Sequence, residues 1–421
     1  MGLSIVEKII SKHATDDKVT PGAVVTAEID LLIANELSTA LAIDILETMN
    51  SPKIKHPERF ALVSDHVTPN KDLISAELTK RIRKFAIDNN IKHFFNSGEG
   101  IEHILFPEKG LIKPGMTILG GDSHTCTYGA LNTFSAGIGS TDMVRWFVDG
   151  KAWLKVPESI LINIHGKLSK SARGKDLSLF VLQKLGLQGA RYKSVEYKGE
   201  TISKLPMSSR FTLCNMTTEM GAKNTILEFD AVTEDFLKDK GLSDFEPVFA
   251  DTDAIYEKIY ELDADGLPAL VAQPSLPSNV AEVSELARQK IQVNQVYIGS
   301  CTNGHFSDLA EASEIFADKK VKTGVRCIVV PGTRRIYTQA LEAGIIEKFL
   351  KAGCVVSAPT CGACLGSFMG VLGSNEACVS TTNRNFVGRM GAKSSKVYLV
   401  NPMTAAASAI TGIITDPSDF I

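Results

Sequence analysis

Cys361-Gly-Ala-Cys364 sets two thiols two residues apart, and Cys301 stands sixty positions earlier. Three thiols of this kind suit a metal centre, because each is soft and anionic once deprotonated. Spacing alone leaves four readings. The three could be unrelated buried cysteines. The C-x-x-C pair could be a redox motif following a strand, which leaves Cys301 unused. His305 could join the three in a structural zinc site. They could also hold a [4Fe–4S] cluster and leave one iron without a protein ligand. Four cysteines normally close such a cluster, so a missing fourth points to catalysis rather than electron transfer. The other five cysteines, Cys126, Cys214, Cys327, Cys354 and Cys378, lie in mixed or apolar surroundings and read as small buried side chains.

Positioning these groups is the work of a repeated grammar in which a short β-branched run opens into a loop of reactive side chains. Phe60-Ala-Leu-Val-Ser leads to Asp65-His66, and Met116-Thr-Ile-Leu to Asp122-Ser123-His124. Val293 to Ile298 leads to Cys301, Val355 to Ala358 leads to Cys361, and Glu376 to Ser380 leads to Asn383-Arg384-Asn385. Such runs read as strands buried on both faces of a parallel sheet. Helices fill the gaps. Residues 71–88 predict one with Ile74, Leu78, Ile82 and Phe85 on its buried face. Residues 337–352 predict another, carrying Ala340, Ile345, Phe349 and Leu350 and stopping at Gly353. The grammar is α/β, with ligands expected beyond the carboxyl ends of the strands.

At 421 residues the chain suits two or three domains. The cuts fall near 157, after Trp153-Leu-Lys-Val-Pro-Glu, and near 285, after a proline-rich stretch at 266–279 that reads as an extended linker. A net charge of −3 with scattered Lys and Arg offers nothing to nucleic acid or an anionic membrane. The first twenty residues, with Lys8, Lys12, Asp16, Asp17 and Lys18, lack the apolar core of a signal peptide. Thr404 to Ile414 is too short for a membrane span and reads as a packed terminal helix. Eight cysteines without a disulfide pattern fit a cytoplasmic protein.

The words around these residues resemble the aconitase superfamily. Tyr297-Ile-Gly-Ser-Cys301-Thr-Asn-Gly304 and Ala358-Pro-Thr-Cys361-Gly-Ala-Cys364-Leu-Gly366 resemble its two cluster loops. Gly121-Asp122-Ser123-His124-Thr125, Asn215-Met-Thr-Thr-Glu219 and Thr382-Asn383-Arg384-Asn385-Phe386-Val-Gly-Arg389 resemble three further motifs, and all follow the family's order. The resemblance implies a three-domain aconitase-like α/β architecture with mostly parallel sheets flanked by helices. Its domains would span residues 1–157, 158–285 and 286–421, the last bearing the cluster. The family's mobile fourth domain has no counterpart here. That is the arrangement of split dehydratases, whose small subunit carries the mobile, swivelling domain and the serine base.

The same resemblance implies removal and re-addition of water on a small hydroxy-dicarboxylate. The first candidate is 3-isopropylmalate, isomerised with 2-isopropylmalate in leucine biosynthesis; homoaconitate, 2,3-dimethylmalate or a methylcitrate-type acid are alternatives. Cys301, Cys361 and Cys364 would hold one [4Fe–4S] cluster with an iron not ligated by protein, and Asn215 and Asn383 would neighbour it. His66 beside Asp65 would be the proton-delivering acid, with His103–Asp122 and His124–Glu219 as two further His–carboxylate pairs. Ser123, Arg384 and Arg389 would bind substrate, the arginines as carboxylate forks. His13, His56, His93, His165 and His305 read as surface or structural. The loss of the cluster turns some relatives into RNA-binding regulators, a role that the low net charge disfavours. Three positions depart from the family pattern: Asn35-Glu36, Glu102 beside His103, and Tyr128.

Overall fold

A computed structural model describes residues 2–16, 19–50 and 52–421; Asp17 and Lys18, part of the amino-terminal reading above, lie outside them. Continuous apolar runs become fully buried parallel strands, as expected when both sheet faces are covered. The first sheet has the order His93–Phe95, Phe60–Val63, Leu31–Asn35, Thr117–Gly120, Phe134–Gly137, with every neighbouring pair parallel. An antiparallel ribbon, Val24–Glu28 with Lys151–Lys155, accompanies it. The second sheet is parallel in the order Asn224–Leu227, Ser194–Lys198, Ser159–His165, Lys258–Asp263. In the third, Lys396–Leu399, Ala377–Ser380, Gln295–Gly299, Arg326–Val330 and Val355–Val356 run parallel. The mostly parallel α/β class read from the sequence is what folds.

One core joins the three sheets: Ile33 and Ala61 of the first, Ile160 and Val195 of the second, and Tyr297 and Ile328 of the third pack into it. Two separate cores lie under the helices on the far sides of the first and third sheets. The loops at the strand ends therefore meet where three layers converge.

Three expectations change. The stretch 266–279 is more than a linker: Leu270–Ala272 is a buried strand that pairs antiparallel with Val280–Glu282 and with Leu399 of the third sheet. Its three prolines flank the strand instead of interrupting it. The helix read at 71–88 runs Leu73–Asp88 from an Asp72 cap, but its buried face is Ser75, Thr79, Ile82 and Ala86. Ile74 is 81% exposed, because small polar residues line the close contact and apolar periodicity alone put the face one position early. The helix read at 337–352 is two, Arg334–Glu342 and Ile345–Ala352, divided at Gly344 in the left-handed region (φ 73°). Ile345 and Phe349 are buried as expected, whereas Leu350 is exposed. Gly353 does end the second.

The tract near the carboxyl terminus forms the packed helix Pro402–Thr411. Among the described residues no helix is long and apolar enough to cross a membrane.

Candidate active site

Five loops, each at the carboxyl end of a parallel strand where open α/β sheets leave crevices, carry most of the candidate groups; His103 lies in helix Glu102–Glu108, Asn215 in helix Met207–Thr217 and Glu219 in the turn that follows it. His66, His103, Asp122, His124, Cys301, Cys361, Cys364, Asn383 and Arg389 line one cavity. Residues 323 positions apart in sequence, His66 and Arg389, thus line the same cavity.

The turn into Cys301 is built on Gly299, whose φ of 138° and absent side chain let the chain pass Val330; a Cβ there would lie 2.2 Å from the Val330 carbonyl oxygen. Ser300 follows with φ 72°, and its hydroxyl accepts the Thr302 amide at 3.2 Å. The second hairpin is tied to the first sheet, because the Cys361 amide and the Thr360 hydroxyl both donate to the Asp65 carbonyl, at 2.8 and 2.9 Å. Asn215, on helix Met207–Thr217, donates its amide to Cys301 Sγ at 3.3 Å, and Asn383 donates to the same sulfur at 3.6 Å.

These residues fit an iron–sulfur cluster better than one zinc ion. The groups whose ligand atoms gather within 4.8 Å of one another are Asp65–His66–Cys361 and His103–Asp122–His124, and the three cysteine sulfurs are not such a group. Zinc holds thiolates at about 2.3 Å, which would bring the sulfurs to about 3.8 Å apart. The wider spacing suits several metal atoms. His305 is elsewhere, stacked on Phe211 with ring centres 5.6 Å apart, and takes no part in the cavity. Burial pushes the Cys301 and Cys361 thiols up, so a cation is needed to make them thiolates.

All three His–carboxylate pairs form. His66 Nδ1 lies 2.6 Å from Asp65 Oδ1, His103 Nε2 lies 3.0 Å from Asp122 Oδ1, and His124 Nε2 lies 3.0 Å from Glu219 Oε1. Asp122 is the hub: it also accepts the His124 amide at 2.7 Å and faces His66 Nε2 at 3.7 Å. Burial works against its charge, but the hydrogen bonds from His103, His124 and His66 hold it well below the usual carboxylate range. Burial likewise opposes a charged His66; the charge of a Cys361 thiolate, the Asp65 charge and the Asp122 and Asp65 contacts act the other way and hold the ring well above its usual pKa.

The two arginines part company. Arg389 lines the cavity with a buried Nε that has no partner. Arg384 does not line it; its Nε donates to Glu219 Oε1 at 2.7 Å. Ser123 is exposed, with its hydroxyl 3.3 Å from His124 Nδ1.

Two supporting residues escaped the sequence reading. Glu36, fully buried at the start of helix Glu36–Thr48, accepts the amides of Asp65, His66 and Val67 at 3.0, 2.8 and 2.7 Å. Only the departure at Asn35-Glu36 drew attention to it. Lys175, also fully buried, donates to the Thr381 and Thr382 carbonyls at 2.8 and 2.7 Å and so fixes the approach to Asn383. Burial lowers its pKa to about 8, with the Cys301 and Cys364 charges acting in the opposite sense. No motif signalled it.

The sequence matches the Aconitase family (aconitate hydratase) over residues 7–412. The chain belongs to the aconitase family. It is 47% identical over 420 residues to the 3-isopropylmalate dehydratase large subunit of Wolinella succinogenes, covering 99% of each chain. It is 46% identical over 420 residues to the 2,3-dimethylmalate dehydratase large subunit of Eubacterium barkeri, covering all of both chains. Among solved structures it resembles Thermococcus kodakaraensis aconitase X in its holo-form, with a TM-score of 0.52 at 11% identity, covering 93% of this chain and 87% of that one. That last likeness concerns the fold alone. The aconitase family implies an iron–sulfur cluster, and the three thiols with their amide donors are consistent with one.

Proposed function

We propose that this chain is the large, cluster-bearing subunit of a hydro-lyase that dehydrates and rehydrates a hydroxy-dicarboxylate, with 3-isopropylmalate the first candidate. One observation carries the reading: three carboxylate-paired histidines and three cysteines line one cavity with Arg389, whose Nε is buried without a partner. The full-length relative named for 2,3-dimethylmalate supports a second reading with the same chemistry on that acid. The three sheets correspond to three domains on this reading, and the free state of all eight thiols suits a reducing cytoplasmic setting.

Cys301, Cys361 and Cys364 would hold a [4Fe–4S] cluster with one iron lacking a protein ligand. When bound, it supplies a Lewis acid for the substrate's hydroxyl and carboxylate oxygens. The chain's own residues do the rest. Arg389 offers its guanidinium fork to a carboxylate. His66, held by Asp65 on Nδ1, keeps Nε2 toward the cavity and delivers a proton to the departing hydroxyl. His103 and His124, anchored on Asp122 and Glu219, orient the substrate around it. Asn215 and Asn383 donate to the Cys301 sulfur and tune its basicity.

The proton-abstracting base would come from a small subunit carrying the swivelling domain and its serine. Anaerobic assay of the chain with and without a small subunit of such a split dehydratase tests the proposal. Dehydration of 3-isopropylmalate is expected from the pair only, with iron and inorganic sulfide in the large chain. Turnover by the large chain alone would overturn the split, and a protein with zinc but no sulfide would overturn the chemistry.

A further inference from the structure

Among the described residues that line the cavity, Glu102 is the carboxyl group without a donor. Asp65 accepts from the Glu102 amide at 2.8 Å and pairs with His66. Glu36 has three amides, and Asp122 has a ring nitrogen and an amide. Glu102 is 1% exposed, lines the cavity, and has both oxygens buried with no hydrogen-bond partner. The nearest group is His103 Nε2, 3.4 Å from Oε1, and that nitrogen is committed to Asp122 at 3.0 Å. Its setting is also rigid, because the Tyr128 hydroxyl bridges the Glu102 carbonyl (3.3 Å) and His103 Nδ1 (3.1 Å). Two of the family departures, Glu102 and Tyr128, therefore brace the same histidine.

A buried polar group left without a partner is costly, so such a group in a ligand cavity marks where a ligand completes the bonding. The residues lining the cavity carry two of them, the Arg389 Nε and the Glu102 carboxyl. A hydroxy acid has a match for each: a carboxylate for Arg389, and a second oxygen-bearing group for Glu102. We propose that Glu102 is a substrate-contacting, specificity-determining residue that hydrogen-bonds the second polar group of the bound hydroxy acid. The inference rests on the function proposed above. Burial first, then the Asp122, Asp65 and Glu36 charges, push the Glu102 carboxyl well above its usual range. A neutral acid can donate to an anionic ligand that a carboxylate would repel.

The test uses the cluster-loaded complex of both subunits and two variants, with 3-isopropylmalate as the probe in both kinetics and calorimetry. Glu102→Ala is expected to raise Kd and KM about tenfold, the loss of one charge-assisted hydrogen bond. Iron content and Tm should stay at wild-type values. Glu102→Gln keeps the shape and a donor and should recover most of that loss. An unchanged Kd in Glu102→Ala overturns the inference, as does cluster loss in that variant or a Gln variant as poor as Ala. A wild-type complex that binds the acid without turning it over, and binds it more weakly when Glu102 is Ala, keeps this inference and defeats the proposed function. No binding by wild type defeats both.

Discussion

Glu219 Oε1 is shared by two partners, His124 Nε2 at 3.0 Å and Arg384 Nε at 2.7 Å. Arg384 therefore reaches the cavity through a carboxylate and a histidine, whereas Arg389 enters it directly. The pair read from the sequence as twin carboxylate forks has two different environments. Replacing Arg389 by Lys keeps the charge but loses the planar fork. We expect kcat/KM to fall at least about tenfold, the value of a charge-assisted bond, with iron content unchanged. Normal kinetics would remove Arg389 from substrate binding.

Arg384→Met should instead show itself through pH. Burial acts to raise the Glu219 pKa, but the His124 hydrogen bond and both positive partners outweigh it and leave the group lowered. A lowered carboxyl adds stability above its unfolded value, about 4.3, and loses it as pH falls through the lower folded value. Removing Arg384 weakens that contribution. The gap in Tm between wild type and variant should be full at neutral pH and close as the medium is acidified through the Glu219 titration. A gap of constant size down to acid pH would mean that Arg384 acts through packing.

Cys301→Ser, Cys361→Ser and Cys364→Ser should each abolish stable iron and sulfide binding, while Cys126→Ala, Cys327→Ala and Cys378→Ala keep them. The latter three are buried and would lose about 1 kcal/mol through small cavities. On the proposed three-cysteine ligation, one iron should leave first in air, and ferrous iron with a thiol should restore activity. Full activity after long aeration, with no iron lost, would contradict an open iron.

Much of this site was legible because strand and reactive loop are adjacent in sequence. The apolar run Phe60–Val63 and the Val296-Tyr-Ile298 centre of Gln295–Gly299 announce buried parallel strands, and Asp65-His66 or Cys301 must then emerge at their ends. Partnerships between distant loops were not legible without a family pattern. Nothing local ties Arg384 to Glu219, 165 positions away, or Lys175 to Thr381, 206 positions away. Apolar periodicity also misreads surfaces packed through small polar residues, as with Ser75 and Thr79 in helix Leu73–Asp88. Leu270–Ala272 was missed because three apolar residues between prolines carry too little pattern to announce a strand.

Lys175 should matter for the same loop. Its ammonium is buried and has two carbonyl acceptors but no direct carboxylate partner among its hydrogen bonds. Lys175→Met preserves much of the volume and removes both donors. The Thr381 and Thr382 carbonyls would then be buried without that partner, at about 1–3 kcal/mol each. We expect a lower Tm and faster iron loss. Wild-type Tm and iron retention in this variant would mean that water or a neighbour replaces the lysine.

Glu36 gives the sharpest test of how the acid is positioned. Its two oxygens accept three consecutive amides, from Asp65, His66 and Val67, so the loop that aims His66 is clasped by one side chain. The same loop accepts the Cys361 amide through the Asp65 carbonyl, which couples histidine placement to the Cys361–Cys364 turn. Three donors on one carboxyl group favour the ionised form, although burial and then Asp65 push its pKa up against the opposing His66 charge and backbone amides. Glu36→Gln exchanges one acceptor oxygen for an NH2 group that faces N–H donors. The loop must shift, and a small misplacement of a proton-transfer group can cost about 100-fold in rate. We expect kcat to fall by more than about tenfold with KM little changed, since the substrate forks stay in place. The decisive measurement is the double-mutant cycle with His66→Asn. If Glu36 acts by placing His66, the second substitution should cost little once His66 is gone. Equal losses in both backgrounds would show that Glu36 supports the loop or the cluster independently of the histidine, and an inert His66→Asn would instead remove His66 from proton delivery.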